Sequence, residues 1–232
     1  MRILALILAR GGSKRLPGKN IRLLGDSPLL VWSIDAARGI PEIVDTLVST
    51  DDEAIADVGR RAGAMVPWLR PPELSTDTAT SLDACLHALD WYEGQRHAVD
   101  GLLLLQPTSP FRSRGSVVRG IELFRANELR PVVGVSPARS HPLWCYKVEG
   151  QRMRPFVDGG GWNVRSQDLP PAFAINGAFY LIQSSALRTA RSFFSDEMIP
   201  LAMLDPGEDI DIDTEQDWRA AQMHLDSTGP RR

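Results

Sequence analysis

Seven consecutive apolar residues, Ile3 to Ala9, run directly into Arg10-Gly11-Gly12-Ser13-Lys14-Arg15-Leu16-Pro17-Gly18-Lys19-Asn20. An apolar run without polar alternation has no solvent side, so it reads as a strand buried on both faces, as in a parallel sheet covered by helices. The eleven residues after it hold three glycines and four cations. Gly11-Gly12 lets the backbone pass close to a ligand with its amides outward, and Arg10, Lys14, Arg15 and Lys19 add formal positive charge, which is the chemistry of a polyanion site. The loop carries neither the P-loop pattern nor the dinucleotide fingerprint. A solvated basic turn would use the same residue types, so its surroundings must decide.

Downstream, apolar runs alternate with amphipathic stretches. Pro28 to Arg38 has helical spacing, with proline at the first turn. Ile43–Thr50 is a second strand, and Thr50 or Asp51 is placed to cap a helix over Glu53–Ala62. Ala64–Pro67 reads as a short third strand, Thr80–Tyr92 as a helix and Gly101–Leu105 as another buried strand, followed by a helix at Val117–Arg125 and a strand at Val132–Val135. This alternation predicts an α/β fold: an open, mostly parallel, Rossmann-like sheet with helices on both faces. Ligands then lie beyond the carboxyl ends of the strands, gathering the loops 10–20, 49–52 and 106–112.

From Ala138 to Ala174 the chain is rich in Pro, Gly and aromatics and loses helical periodicity, which predicts a small β-rich insertion. The main domain is therefore expected over 1–137 and 175–232. Its last part holds a strand at Asn176–Ile182, a helix at Leu187–Phe194, a strictly alternating Asp209–Asp213, a helix Glu215–Leu225 capped by Thr214, and a frayed tail at 226–232.

Composition narrows the function. The 232 residues carry a net charge of −3, which argues against nucleic acid as a partner. Two cysteines are too few for a disulfide framework and indicate a reducing compartment. The run at 3–9 is too short to span a bilayer and has no cleavage site of a leader, so no membrane is expected and the location is predicted to be cytoplasmic.

In Asp209-Ile210-Asp211-Ile212-Asp213 a strand period would put three carboxylates on one face, about 6.5–7 Å apart. Magnesium takes such oxygens and shares its remaining positions with phosphates, so carboxylates opposite a basic loop suit a metal-bound nucleotide. A solvated acidic edge is the alternative. Gln106, Thr108, Ser109 and Arg112 follow the Gly101–Leu105 strand and either face a substrate or build a structural turn. Arg70 and Ser81 could bind a base or ribose, and Ser/Thr/Asp runs like 76–81 also serve as helix caps. Of the four histidines only His141 could face a ligand, while Tyr180, Phe193 and Phe194 read as core residues.

Taken together, Ala9-Arg10-Gly11-Gly12-Ser13-Lys14 with Lys19-Asn20, Arg70-Pro71, Gln106-Pro107-Thr108-Ser109-Pro110, Asn176-Gly177-Ala178 and Ile210-Asp211-Ile212-Asp213 resemble the acylneuraminate cytidylyltransferases, in order and along nearly the whole chain. The resemblance implies a nucleotide-sugar transferase type of fold and an Mg²⁺-dependent transfer of CMP from CTP to the anomeric hydroxyl of a nine-carbon 2-keto acid sugar, with release of pyrophosphate. It implies that Ala9, Arg10, Gly11, Gly12, Ser13, Lys14 and Lys19 cradle the triphosphate, that Asn20, Arg70 and Ser81 bind the cytidine, and that Asp211 and Asp213 hold the metal. Arg10, Lys14, Lys19 and Asp211 would carry the catalytic charge. Gln106, His141, Trp144, Arg165, Gln167, Tyr180, Phe193 and Phe194 would surround the sugar, the three aromatics as an acylamino pocket rather than core. The 138–174 insertion would pair two subunits into a homodimer and lend residues to the neighbouring site. Two positions depart from the sialic acid pattern. Trp144 stands where a lysine can follow His-Pro-Leu, and Ser166 stands directly before Gln167-Asp168-Leu169-Pro170, with Arg165 one place early. These pieces resemble enzymes for diacetamido sugars of the legionaminic acid type. Arg15-Leu16-Pro17-Gly18-Lys19 also bears a local likeness to the eight-carbon Kdo cytidylyltransferases, from which Gly11-Gly12-Ser13 and Asn20 differ. A non-catalytic nucleotide-sensing module on this fold is the alternative from another class, and retention of both Asp211 and Asp213 weighs against it.

Overall fold

A computed structural model of the protein describes residues 1–158 and 164–228. The opening apolar run forms β1 (Ile3–Leu8), and Ile3 to Ile7 have no exposed surface. Two short strands, β2 (Leu23–Leu24) and β3 (Ser27–Pro28), lead into helix α1 (Leu29–Ala37). Then come β4 (Ile43–Ser49), α2 (Glu53–Arg61), α3 (Ser81–Gln95), β5 (Gly101–Leu104), α4 (Arg114–Ala126) and β6 (Val132–Pro137). A hairpin of β7 (Tyr146–Glu149) and β8 (Arg152–Pro155) precedes β9 (Phe173–Gln183), α5 (Ser184–Ala190), β10 (Ile199–Ala202) and α6 (Glu215–Thr228).

The main sheet has the order β10-β6-β9-β5-β1-β4. β1 pairs in parallel with β4 and β5, and β10 with β6, whereas β9 runs antiparallel between β5 and β6. Five strands therefore share one direction and β9 alone reverses it. Alternation along β1 sorts the two layers of the core. Ile3, Ala5 and Ile7 pack with Leu30 and Ile34 of α1, Ile55 of α2 and Ile121 of α4, while Leu4 and Leu6 pack with Cys85 and Leu89 of α3 and Leu187 of α5. A third cluster, with Leu24, Trp32, Ile212 and Trp218, seats α6 against α1. Because β4 and β5 flank β1 on opposite sides, the loops leaving β1 and β5 diverge at their carboxyl ends and open a crevice there. No described helix is long and apolar enough to cross a membrane.

Several expected elements differ. Residues 64–67 form no strand of their own. Met65 meets Leu47 of β4 in an isolated parallel bridge, and Leu69 meets Thr50 just beyond the end of β4 in another. Asp52, not Thr50 or Asp51, caps α2 by accepting from the Ile55 amide at 3.0 Å, since Asp51 is turned onto the Gly11 amide. The helix expected at Leu187–Phe194 ends at Ala190, where Arg191 adopts a left-handed conformation and releases Phe193 toward Tyr180. Asp209–Asp213 joins no strand: Asp209 lies in a turn closed by the Ile210 amide on the Gly207 carbonyl, the Ile212 amide donates to the Thr108 carbonyl at 2.8 Å, and Ile210 and Ile212 pack into the third cluster. Its alternation thus separates apolar from acidic side chains without a ladder. At α6 the expected capping box is present, with Thr214 Oγ1 accepting from the Asp217 amide and Asp217 from the Thr214 amide. The helix runs on to Thr228, so residues 226–228 are helical, and the rest of the expected tail lies outside the described residues.

The 138–174 segment leaves the sheet between β6 and β9, its neck closed by the Ala138 amide donating to the Ala172 carbonyl at 2.9 Å. Among its described residues, those outside the β7–β8 hairpin, two short 3₁₀ turns and the first residues of β9 are irregular, and residues 159–163 lie outside the described residues.

Candidate active site

The crevice at the β1 and β5 ends is a cavity of about 610 Å³. Arg10, Ser13, Lys14, Lys19 and Asn20 line it from the loop after β1, Arg70 and Ser81 from the segment before α3, Gln106 and Thr108 from the turn after β5, and Asp211 and Asp213 from the acidic segment. Eleven positions singled out in the sequence thus meet in one place. Ala9, Gly11 and Gly12 do not line it. Ala9 is buried and holds the end of β1 through the Ser49 carbonyl. The Gly11 amide does not point outward as expected, because it donates to Asp51 at 3.0 Å. A side chain at residue 11 would meet Asp52 at 2.8 Å, so glycine is required there by close approach.

The cations are held in graded ways. Lys14 and Arg10 both reach Asp77, at 2.5 and 3.1 Å, all three side chains being well exposed. Lys14 is the main reason that the Asp77 carboxyl lies below its usual range, with Arg10 adding to it. Lys19 is more sheltered and donates to the Ile212 carbonyl at 3.0 Å and to Asp213 at 2.8 Å. Asn20, 4% exposed, donates from its side-chain amide to the Arg10 carbonyl at 3.0 Å and so fastens the loop's two ends together. Arg70 is 7% exposed and is anchored on the hydroxyl and carbonyl of Ser49 at the end of β4.

The two cavity aspartates have different surroundings. Burial works to raise the Asp213 carboxyl, but Lys19 and Arg15, the latter at 2.6 Å, outweigh it and hold the group below its ordinary value. Asp211 is an exposed residue that lines the cavity. The surrounding protein raises its carboxyl, opposed by a hydrogen bond from Thr108. Among the described residues no cluster of three or more His, Cys, Asp or Glu could hold a metal unaided. Two carboxylates beside a polyanion loop nevertheless fit a magnesium ion, which keeps waters and takes one or two carboxylates plus phosphate oxygens. Asp211 is the better donor because Asp213 is already shared by two cations.

The turn after β5 resolves its two readings residue by residue. Gln106 and Thr108 face the cavity. Arg112 is fully buried and donates to the Ala178 carbonyl at 2.7 Å, the Ser33 hydroxyl at 2.8 Å and the Gln106 carbonyl at 2.5 Å, joining β9, α1 and the turn. Burial pushes it down to about 9, still a cation at neutral pH. Ser109 is 1% exposed and does not line the cavity. Both are structural. Glu208 ties the acidic segment to the start of α4, accepting from the Ser113 amide at 3.0 Å and the Ser116 hydroxyl at 2.5 Å.

A second cleft, of about 600 Å³, adjoins the first and shares Gln106 and Asp211 with it. Tyr180 lines it, and Phe193 and Phe194 stand edge-on to Tyr180 at 5.8 and 6.0 Å, so the three aromatics do gather beside the cavity. Burial, with a smaller contribution from Asp211, raises the Tyr180 hydroxyl. Gly177, at φ 78°, lets the backbone pass under Gln106, whose Oε1 would lie 2.9 Å from a Cβ there. The four insertion residues expected around the sugar are not brought in. His141 uses both ring nitrogens locally, Nδ1 on the Leu143 amide at 3.2 Å and Nε2 on the Pro170 carbonyl at 3.1 Å. Trp144 packs against that ring, and neither it nor Arg165 or Gln167 lines either cleft within one subunit. Asp77, Asp51 and Glu208 were missed. Asp77 sits in the Ser/Thr/Asp run that reads as caps, and only the fold sets it against the loop.

A family model described as cytidylyltransferase matches residues 4–111. The CMP-N,N'-diacetyllegionaminic acid synthase of Legionella pneumophila is 38% identical over 226 residues, covering 94% of each chain. An N-acylneuraminate cytidylyltransferase of Streptococcus agalactiae is 32% identical over 227 residues, and there the chain spans about half of the relative, 54% of its length. Among solved structures, CMP:2-keto-3-deoxy-manno-octonic acid synthetase complexed with CTP superposes with a TM-score of 0.71 over 98% of this chain and 100% of that one, at 14% identity, a likeness of fold. With identity sustained end to end against the Legionella enzyme, and with the basic loop, Arg70 and Asp211 converging on one crevice, this chain belongs to the acylneuraminate-type cytidylyltransferases.

Proposed function

We propose that this enzyme transfers CMP from CTP to the anomeric hydroxyl of a nine-carbon 2-keto acid sugar of the legionaminic type, releasing pyrophosphate. The single observation that carries this reading is the 38% identity to a CMP-N,N'-diacetyllegionaminic acid synthase along 94% of both chains. The cavity supports it. Arg10, Lys14 and Lys19 hold the triphosphate, displacing Asp77 from the first two. Arg70, Ser81 and Asn20 bound the cytidine side, and Gln106 with the Tyr180, Phe193 and Phe194 aromatics receives the sugar. The sugar hydroxyl oxygen forms its bond to the α-phosphorus as the bond to the bridging oxygen of pyrophosphate breaks, and the hydroxyl proton passes to solvent water. Positioning two substrates in line and neutralising charge supply the acceleration, with no covalent intermediate on the protein. Asp211, assisted by Asp213, would hold magnesium, which when bound supplies positive charge at the phosphate oxygens.

The exposed apolar side chains Trp144, Val148, Met153, Phe156, Phe173 and Ile175 support a homodimer formed through the insertion, with its residues serving the partner's sugar site. Consumption of CTP and two free cysteines fit the cytoplasm. Pyrophosphate release from CTP with legionaminic, sialic and Kdo acids tests the reaction. The legionaminic acid should turn over fastest, and release with none of the three would refute the transfer. Retention of the Mg²⁺-dependent rate by Asp211→Ala would refute the metal assignment.

A further inference from the structure

We propose that Arg139 binds the C1 carboxylate of the sugar acid, and so sets the enzyme's preference for acid sugars. This rests on the transfer reaction above. The anomeric carbon of a 2-keto acid sugar bears both the reacting hydroxyl and the carboxylate. When the hydroxyl approaches the α-phosphate, the carboxylate must therefore lie a few ångströms away, on the nucleotide side of the sugar. The second cleft is the space in that position, since it meets the nucleotide cavity at Gln106 and Asp211. Asp209 and Asp211 line it and would repel a carboxylate.

Arg139 is the only cation among its described lining residues, whereas Arg10, Lys14, Arg15, Lys19 and Arg70 all line the first cavity. Its guanidinium is 80% exposed and makes one long contact, 3.3 Å, to Asp209. A guanidinium offers five donors in a planar fork, so Arg139 can accept a substrate carboxylate while keeping Asp209. Its backbone is well placed to aim it. Arg139 lies two residues past the end of β6, next to Ala138, whose amide closes the neck of the insertion on the Ala172 carbonyl. Asp209 acts as a positioning residue that keeps the guanidinium at the cleft in the absence of sugar.

The test compares N,N'-diacetyllegionaminic acid with its uncharged C1 amide. The wild-type enzyme should favour the acid by about 10- to 100-fold in kcat/KM, the range of a charge-assisted bidentate contact. Arg139→Gln should bring that ratio to within a few-fold, through KM for the sugar, with KM for CTP and the melting temperature unchanged, and Arg139→Lys should restore part of it. A wild-type ratio retained in Arg139→Gln overturns the proposal. Calorimetric binding of the acid and the amide to CDP-loaded protein separates this from the reaction itself. Wild-type discrimination lost in Arg139→Gln, with turnover absent in both proteins, would refute the transfer and keep the carboxylate site. Equal binding of acid and amide by the wild type would refute the site and leave the transfer standing.

Discussion

Replacing Arg112 by Lys should damage stability far more than substrate recognition. The guanidinium reaches three acceptors that do not lie in one direction: the Ala178 carbonyl in β9, the Ser33 hydroxyl in α1 and the Gln106 carbonyl after β5. An ammonium is a point charge without the planar fork and can satisfy one of these well. Each hydrogen bond to a charged group is worth about 1.5–3 kcal/mol, and two buried acceptors would be orphaned, so the loss is about 3–5 kcal/mol. That is a large part of the roughly 5–15 kcal/mol that holds a domain together. With a urea dependence of about 1–3 kcal/mol per molar, the unfolding midpoint should fall by about 1–5 M. Urea titration followed by circular dichroism gives the midpoint, and steady-state kinetics on the folded variant give KM for CTP, which should stay within a few-fold of wild type. A variant with unchanged midpoint but abolished turnover would refute the structural reading and put Arg112 on the substrate.

Gly177→Ala introduces a Cβ at φ 78°, a strain of about 1–2 kcal/mol, and puts it 2.9 Å from Gln106 Oε1. KM for the sugar should rise several-fold with KM for CTP unchanged, and an unchanged sugar KM would show that Gln106 is not needed there. Asp211→Asn should raise the melting temperature at pH 7 while removing turnover. Burial raises the Asp211 carboxyl, so the folded chain holds the proton more readily than the unfolded one. The stability linked to this group is therefore present below the unfolded aspartate value and is lost as pH rises through the raised one. A melting temperature at pH 7 equal to or below wild type would contradict that sign.

How far the site was legible depended on the range of the signal. The basic loop announced itself because its glycines and cations lie together after a buried strand. The cap at Thr214 was legible because its partner Asp217 is three residues away. The cap of α2 was misplaced by one residue because Asp51 is drawn to Gly11, forty positions distant. For Asp209–Asp213 the alternation of side chains was correct and the strand was not: two isoleucines packing on the α6 cluster demand the same spacing as a ladder. His141 looked available in the sequence, yet the Leu143 amide of its own turn and the distant Pro170 carbonyl take both its nitrogens.

By itself the sequence determined the buried β1, the helices on both sheet faces, the basic glycine loop at the strand end and the resemblance to cytidylyltransferases, because each is written in spacings of two to four residues or in a contiguous motif. Only the tertiary structure decided that β9 runs against its neighbours, that Arg112 is a staple, that Asp77 caps Arg10 and Lys14, and that Arg139 stands at the second cleft. Those outcomes come from pairings such as Lys19 with Asp213, 194 residues apart, for which no local pattern carries a signal. They form because burying the apolar faces of the sheet fixes the strand order, and the strand order brings these loops to one edge.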